Sequence, residues 1–292
     1  MDTERHGGEL YLCATPIGNL GDITDRVKQV LKDADLIAAE DTRHSMQLLN
    51  HFQIKTPLTS YHEHNKYDKA RELVQKLQEG KKIALISDAG TPILSDPGEV
   101  LVSMCIDAGI RVTSLPGPSA AVTALTLSGL PARRFAFEGF LPADKKERNE
   151  VLSSLQAEER TVILYEAPHR LKETLKRLSE TMGCRRTAIC RELTKIHEEV
   201  LRMTLAEAAE YYTSHEPRGE YVLVIEGRPK EELAREKAEE YADMSIAEHV
   251  ALYEGLGSSR KEAMKKAAFD RGISRRDVYQ ALLKETDGGM EK

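Results

Sequence analysis

The sequence predicts an α/β protein with two α/β lobes, the first on a mostly parallel sheet and the second on a mixed one, and a small C-terminal helical tail. Three observations predict this. From Leu10 to Leu127 short apolar runs alternate with stretches of helical spacing, the pattern of a parallel sheet covered on both faces. From Arg134 to Ile225 strand-like runs outnumber helical ones, so some neighbours must be antiparallel. From Pro229 onward only helical spacing remains.

Taken in order, Leu10–Ala14 reads as a strand and Thr24–Leu31 as a helix with Thr24 as its N-cap. Strand Leu36–Ala39, a helix over Ser45–Phe52, a short strand at Leu58–Ser60 and a helix entered at Tyr61–Asn65 and running through Leu77 follow. Lys82–Ile86 is a buried strand, Glu99–Ile106 a helix and Ile110–Leu115 a strand that leads into a small-residue helix ending at Leu127. Ser128-Gly129-Leu130-Pro131 punctuates the chain. In the second lobe, strands at Arg134–Glu138, Thr161–Tyr165, Thr187–Cys190, Glu199–Met203 and Tyr221–Ile225 are interleaved with helices ending at Leu155, Thr181 and Tyr212. The tail reads as helices over Glu231–Tyr241, Ile246–Tyr253, Ser259–Phe269 and Ser274–Leu283, the last two forming a helix-turn-helix pair. The expected domains are 1–128, 129–228 and 229–292.

Composition narrows the function classes. With 292 residues, 40% hydrophobic and 31% charged, the chain has the make-up of a globular protein able to hold two domains and an appendage. Its net charge of −6 rules out a global basic field. Arg260–Lys284 is the exception: eight Lys/Arg against three Asp/Glu give +5 and leave −11 for the remainder. Four cysteines without CxxC spacing read as reduced, buried thiols. With no apolar run of membrane-spanning length and no leader-like start, the expectation is a soluble, cytoplasmic protein with no membrane partner.

The most informative stretch is Ser87-Asp88-Ala89-Gly90-Thr91-Pro92-Ile93-Leu94-Ser95-Asp96-Pro97-Gly98, between a strand and a helix. In open α/β sheets ligands bind at such carboxyl ends. Gly90 permits close backbone approach, and two prolines stiffen the loop. Asp88 and Asp96 put negative charge where a phosphate cradle would want none, so the loop suits a cationic or neutral ligand. Gly18-Asn19-Leu20-Gly21-Asp22 matches neither GxxxxGK[ST] nor GxGxxG. His62-Glu63-His64 lacks a third ligand at metal-site spacing, so no metal is expected. Glu40 reads as a local ion pair or helix cap, whereas the nearby Arg43 guanidinium has the geometry to meet phosphate.

Ten motifs in order from Leu10 to Gly227 carry a resemblance: TPIGNLGDIT, AEDTR, YHEHN, SDAGTPILSDPG, PGPSA, SGLP, GFLP, YEAPHRL, RELTKIHEE and RGEYVLVIEG. Together they resemble the tetrapyrrole-methylase-like superfamily, and within it the bacterial 16S ribosomal RNA 2′-O-ribose methyltransferases of the I type. The resemblance implies transfer of a methyl from S-adenosylmethionine to the ribose 2′-hydroxyl of a decoding-centre cytidine. It also implies a homodimer of bilobal subunits, the cofactor between the lobes, and 16S rRNA or the small ribosomal subunit as partner. The alternative within the superfamily is methylation of a small tetrapyrrole.

Carried over by position, the resemblance implies cofactor contacts from Leu20, from Asp88, Ala89, Gly90, Thr91 and Leu94, from Ser119 and Ala120, and from Tyr165, Glu166 and Leu193. Where tetrapyrrole methylases commonly read GGDP, this loop reads Ala89-Gly90-Thr91-Pro92, with the carboxylate moved earlier to Asp88. A ribose hydroxyl is a weak nucleophile at neutral pH, so a general base would help. Glu63, His64, Lys195 and Glu198, together with Glu166, stand on loops expected to face the cleft. The sequence does not choose among them, and alignment alone is the other reading. Arg43, Arg170, Arg191 and Lys195 are the candidates for the RNA backbone, joined by Arg275 and Arg276 of the basic tail.

Overall fold

The computed structural model describes residues 7–229, 232, 235 and 238–288. The chain divides into two compact units. One runs to Leu155 and resumes from Arg160 to Glu226; the other comprises Gln156–Glu159 and the chain from Gly227 onward.

The first unit carries two five-stranded sheets. In the first, β1 (Glu9–Cys13), β2 (Leu36–Ala39), β3 (Leu58–Ser60), β4 (Lys82–Ile86) and β5 (Arg111–Leu115) lie in the order β3-β2-β4-β1-β5, every pairing parallel. The connecting helices are α1 (Asp25–Asp33), α2 (Thr42–His51), α3 (Lys66–Gln78) and α4 (Gly98–Asp107). Successive strand residues face opposite sides. Ala84 and Ile86 therefore pack with Val27, Leu31 and Leu49 of α1 and α2, while Ile83 and Leu85 pack with Leu73, Leu77 and Leu101 of α3 and α4. A strand buried on both faces must be apolar throughout, which is why β4 reads as one continuous run.

This arrangement positions the site. The chain leaves β1 through α1 on one face, and leaves the neighbouring β4 through α4 on the other. The loops after these two strands part, and a crevice opens at their carboxyl ends.

After β5 comes α5 (Ala120–Ser128), capped at its start by the Ser119 side chain and stopped by Gly129 in the left-handed conformation (φ 74°). The second sheet holds β6 (Phe135–Phe140), β7 (Thr161–Glu166), β8 (Arg186–Arg191), β9 (Glu199–Thr204) and β10 (Tyr221–Ile225) in the order β6-β7-β10-β8-β9. Only β6–β7 is parallel, so the expected mixture is present. Helices α6 (Lys145–Gln156), α7 (Pro168–Met182) and α8 (Leu205–Ser214) cover one face through Leu152, Leu171, Leu175, Leu178 and Ala208. The other face is covered by α5, whose Ala121, Ala124 and Leu125 pack against Ile163, Ala188, Cys190 and Val224. Thus α5 precedes the Ser128–Pro131 punctuation and yet belongs to the core of the second sheet.

Local chemistry explains the element boundaries. Thr24 accepts a hydrogen bond from the Val27 N–H at 3.1 Å and caps α1 as expected. Helix α2 starts at Thr42 instead of Ser45, because the Asp41 carboxylate accepts from the Arg43 N–H at 2.8 Å and begins the helix earlier. Helix α3 starts only at Lys66, the chain from His62 to Asn65 forming a turn in which the His62 N–H donates to the Asn65 side chain. Cys13, Cys105 and Cys190 are buried, and burial pushes their thiols up to about 12. Cys184 differs from expectation: it is exposed, in the turn after Gly183 that ends α7.

In the second unit, α9 (Ile246–Gly255), α10 (Arg260–Asp270) and α11 (Arg275–Gly288) enclose a small core of Val250, Ala263, Met264, Ala267, Ala268 and Val278. Ser245 and Ser259 open α9 and α10 with reciprocal capping boxes to Glu248 and Glu262. Of the acidic helix expected over 231–241, residues 231, 233, 234, 236 and 237 lie outside the described residues. Arg271 is turned inward, its Nε donating to His249 Nδ1 at 3.0 Å, whereas Arg275 and Arg276 are exposed. Among the described residues no helix is long and apolar enough to cross a membrane.

Candidate active site

The central loop is held in a conformation its residues do not favour. Ile93 and Ser95 have φ of 82° and 66°, left-handed values that are unusual for any residue but glycine and more so for a β-branched one. Such positions persist only where the surroundings impose them, at about 1–3 kcal/mol each. Asp96 imposes them here: one carboxylate oxygen accepts from the Ile93 N–H and the other from the Gly98 N–H, both at 2.7 Å. Burial raises the Asp96 pKa although these two N–H donors oppose it. Gly90, at φ 80°, pairs with Thr15 of the first loop through two backbone hydrogen bonds of 2.9 and 3.0 Å. A Cβ at Gly90 would stand 3.2 Å from Ile17 Cγ2. The loops after β1 and β4 are thereby tied edge to edge.

The loop after β2 joins them. Asp88 accepts from the Asp41 N–H at 2.9 Å, while the Asp41 carboxylate caps α2 and pairs with Arg43 at 3.1 Å. Arg43 hydrogen bonds hold the Asp41 carboxyl down at about 2. Glu40 is thus turned to the crevice. Burial first, then the charges of Asp88, Asp96 and Glu63, push its carboxyl up to about 6. Sequence reasoning missed Glu40, because its surroundings are set by a loop far away in the chain.

The second sheet supplies the opposite wall. The Tyr165 ring meets Phe137 and Phe140 edge to face, and its hydroxyl accepts from the Ala121 N–H at 3.2 Å, fixing the start of α5. Glu166 is buried, taking hydrogen bonds from the Ala167 N–H at 2.9 Å and the Thr174 hydroxyl at 2.5 Å. Arg170 lies 3.4 Å from Glu166 and donates to the Leu141 carbonyl at 2.7 Å, so it is engaged inside the lobe. Gly139, at φ 64° in a β6 bulge, comes so near the central loop that a Cβ there would be 2.7 Å from Ser95 Oγ. On the loop after β8, Glu192 and Thr194 also take left-handed φ values, 50° and 66°. There Lys195 Nζ donates to Glu192 and Glu220, each at 2.9 Å. Burial works against the Lys195 charge, but these carboxylates outweigh it and raise its pKa.

These loops enclose a cavity of about 450 Å³. Ten of the eleven cofactor candidates named from the sequence line it: Asp88, Ala89, Gly90, Thr91, Leu94, Ser119, Ala120, Tyr165, Glu166 and Leu193. Leu20 instead lines an adjoining cavity of about 380 Å³, which shares Ile17, Asp88, Ala89 and Glu220 with the first and also touches Lys195. Glu63, His64 and Glu198 line neither cavity; Glu63 pairs with Lys66 at 2.5 Å, and Glu198 accepts from the Thr194 N–H at 2.7 Å. Arg191 lies 3.4 Å from Glu199, and Arg43 is exposed.

The charge of the larger cavity decides its chemistry. Its lining holds the carboxylates of Glu40, Asp88, Asp96, Glu166 and Glu220, and neither lysine, arginine nor histidine. Glu166 and Glu220 are paired with Arg170 and Lys195, whereas Glu40, Asp88 and Asp96 form no ion pair among the described residues. Such a half-buried cluster disfavours anions and is stabilised by a positive ligand. Apolar Ile17, Leu94, Leu193 and Val222 complete the wall. The site therefore fits an amphipathic organic cation and excludes a polyphosphate. Among the described residues no cluster of His, Cys, Asp and Glu could hold a metal ion.

The profile of the Tetrapyrrole (Corrin/Porphyrin) Methylases matches residues 9–209, and the chain belongs to that family. Its similarity to particular proteins is narrower. It is 49% identical over 278 residues, 95% of this chain and 96% of the other, to Ribosomal RNA small subunit methyltransferase I of Halalkalibacterium halodurans. It is 47% identical to the protein of the same name from Synechocystis, over 96% of this chain and all of the other. Among solved structures, uroporphyrin-III C-methyltransferase from Thermus thermophilus, complexed with S-adenosylhomocysteine, shares the fold with a TM-score of 0.53. That likeness covers 75% of this chain and 97% of the other at 19% identity.

Proposed function

We propose that this chain methylates small-subunit ribosomal RNA, transferring the methyl of S-adenosylmethionine to the ribose 2′-hydroxyl of a decoding-centre cytidine, as a cytoplasmic homodimer. The observation that carries the reading is the extent of the similarity. The family profile stops at residue 209, whereas the 49% identity to a protein named for small-subunit rRNA spans 95% of the chain and so takes in the basic tail. Domain boundaries near 128 and 228 belong to the same proposal: two lobes for the chemistry and a tail for the RNA.

The cavity fits the cofactor independently of that similarity, since Glu40, Asp88 and Asp96 line it without an ion pair among the described residues, beside hydroxyl-bearing side chains and apolar Ile17, Leu94, Leu193 and Val222. Asp88, Gly90, Leu94, Ser119, Tyr165 and Leu193 would hold the molecule. Once bound, S-adenosylmethionine supplies a methyl activated by a cationic sulfur. The protein's own part is to bind, orient and exclude water. Asp96 and the Gly90–Thr15 pairing keep the central loop rigid, which matters because in-line displacement rewards alignment above all. Lys195 stays charged between Glu192 and Glu220, so it acts as a fixed cation for a ribose or phosphate oxygen and does not take up a proton. With Glu63, His64 and Glu198 outside both cavities, alignment carries the rate in this reading.

Incubation with radiolabelled S-adenosylmethionine and either naked 16S rRNA or small subunits, followed by nucleoside mapping, tests it. Label in a 2′-O-methylated cytidine is the expected result. Label only in a tetrapyrrole, or none, would overturn the proposal. Sedimentation equilibrium tests the dimer.

A further inference from the structure

The second cavity lies beside the first and shares part of its lining. Its outer wall is a face of α2 on which His44, Gln47 and His51 recur at helical spacing, with Leu20 and Leu48 alongside. His44 and Gln47 are exposed, their side chains hydrogen-bond to no other described residue, and Leu20 is an apolar side chain left 42% exposed. An ordinary solvated helix face is convex. Here the polar side chains wall a concavity of about 380 Å³, within the usual range of small-molecule sites.

We infer that this second cavity is the subsite for the nucleoside accepting the methyl, with its base against Leu20 and Leu48, its polar edge on Gln47 and His44, and its sugar–phosphate side toward Lys195. Three observations combine in this. Donor and acceptor must lie within about 3–3.5 Å for displacement. A cavity sharing Ile17, Asp88, Ala89 and Glu220 with the donor site adjoins it, as that demand requires. A side-chain amide both donates and accepts, as an imidazole does, which is what the Watson–Crick edge of an unstacked base requires. Finally, Lys195 lines the second cavity and not the first, so a nucleotide oxygen meets an ammonium only there, although Asp88 and Glu220 line it as well. The inference rests on the rRNA reading and adds to it the residues that select the base.

Full-length wild-type enzyme, Gln47→Ala, Gln47→Trp and His44→Ala are compared for S-adenosylhomocysteine affinity by calorimetry and for methyl transfer to small subunits. Position 47 is exposed on a helix, so neither substitution threatens the fold. The expected result is unchanged affinity for S-adenosylhomocysteine, a fall of about tenfold in kcat/KM for Gln47→Ala, and a larger fall for Gln47→Trp, which fills the cavity. Discrimination between cytidine and uridine at the target should also narrow in Gln47→Ala. Active wild type with equally active variants would overturn the subsite and leave the rRNA reading standing. Loss of S-adenosylhomocysteine binding in Gln47→Ala would overturn it too, by assigning the cavity to the donor. A wild-type enzyme inactive on ribosomal RNA would overturn both.

Discussion

Replacing Glu40 by glutamine isolates the electrostatics of the larger cavity. Burial, then Asp88, Asp96 and Glu63, push the Glu40 carboxyl from its ordinary 4.5 up to about 6. A shift of that size corresponds to about 2 kcal/mol of destabilised charge, because each unit is worth about 1.4 kcal/mol. Glu40 is only half-buried and water screens part of this, so about 1 kcal/mol is the working figure. The sign follows from linkage. The native state holds this proton more tightly than the unfolded chain, so the penalty is absent below pH 4.5, grows between 4.5 and 6, and is complete above 6. Glutamine carries no charge at any of these values. Thermal melts of the ligand-free protein should therefore show wild type and Glu40→Gln equal near pH 4. At pH 7.5 the variant should melt about 2–4 °C higher. Binding should move the other way. A cationic ligand relieves the repulsion, so the variant should lose about fivefold in affinity for S-adenosylmethionine while its affinity for uncharged-sulfur S-adenosylhomocysteine barely changes. A melting difference independent of pH, or equal weakening of both ligands, would refute the reasoning.

Three further substitutions probe other parts of the structure. Gly90→Val places a β-branched residue at φ 80° against Ile17 and should abolish S-adenosylhomocysteine binding in calorimetry while the far-ultraviolet spectrum is retained. Asp96→Ala removes the acceptor of two loop N–H groups and should release Ile93 and Ser95 from their left-handed conformations, seen as faster amide exchange in the loop and at least tenfold weaker cofactor binding. Charge reversal at Arg275 and Arg276 should lower RNA affinity and flatten its salt dependence by about 0.7–0.9 in log–log slope for each phosphate that is no longer neutralised. Cofactor affinity should be untouched, and an unaltered slope would mean that the tail meets no phosphate through these residues.

How far the sequence could be read depends on where each residue's surroundings come from. β4 and its loop were legible because both signals are local: a strand buried on two faces is apolar throughout, and the turn residues that follow announce a carboxyl end. Thr24 and the mixed second sheet were legible for the same reason. Glu40 was not, since its environment is set by Asp88, which reaches across 47 positions to the Asp41 N–H. Nor was the engagement of Arg170 with Glu166 and the Leu141 carbonyl, which ties the guanidinium to its own lobe. The packing of α5 on the second sheet was equally silent, because a helix of small apolar residues looks alike whichever sheet it covers. The α2 face at His44 and Gln47 becomes a wall only when the loop after β8 closes the other side.

The separation of charge between the two cavities has a consequence for turnover. A site lined by Glu40, Asp88 and Asp96, which form no ion pair among the described residues, would favour a positively charged donor over the neutral product that remains when the methyl has left. Each factor of ten in that preference corresponds to about 1.4 kcal/mol, and it helps product leave as well as donor enter. The same carboxylates repel phosphate, so an RNA strand drawn into the donor cavity would be penalised twice, once for its charge and once for displacing the cation. Lys195 answers this at the shared boundary: its charge is held by Glu192 and Glu220, and it faces the second cavity while Glu220 lines both. Breaking that pair with Glu220→Gln should therefore weaken RNA transfer more than donor binding, because it loosens the cation that an incoming phosphate or ribose oxygen meets while four carboxylates remain for the donor.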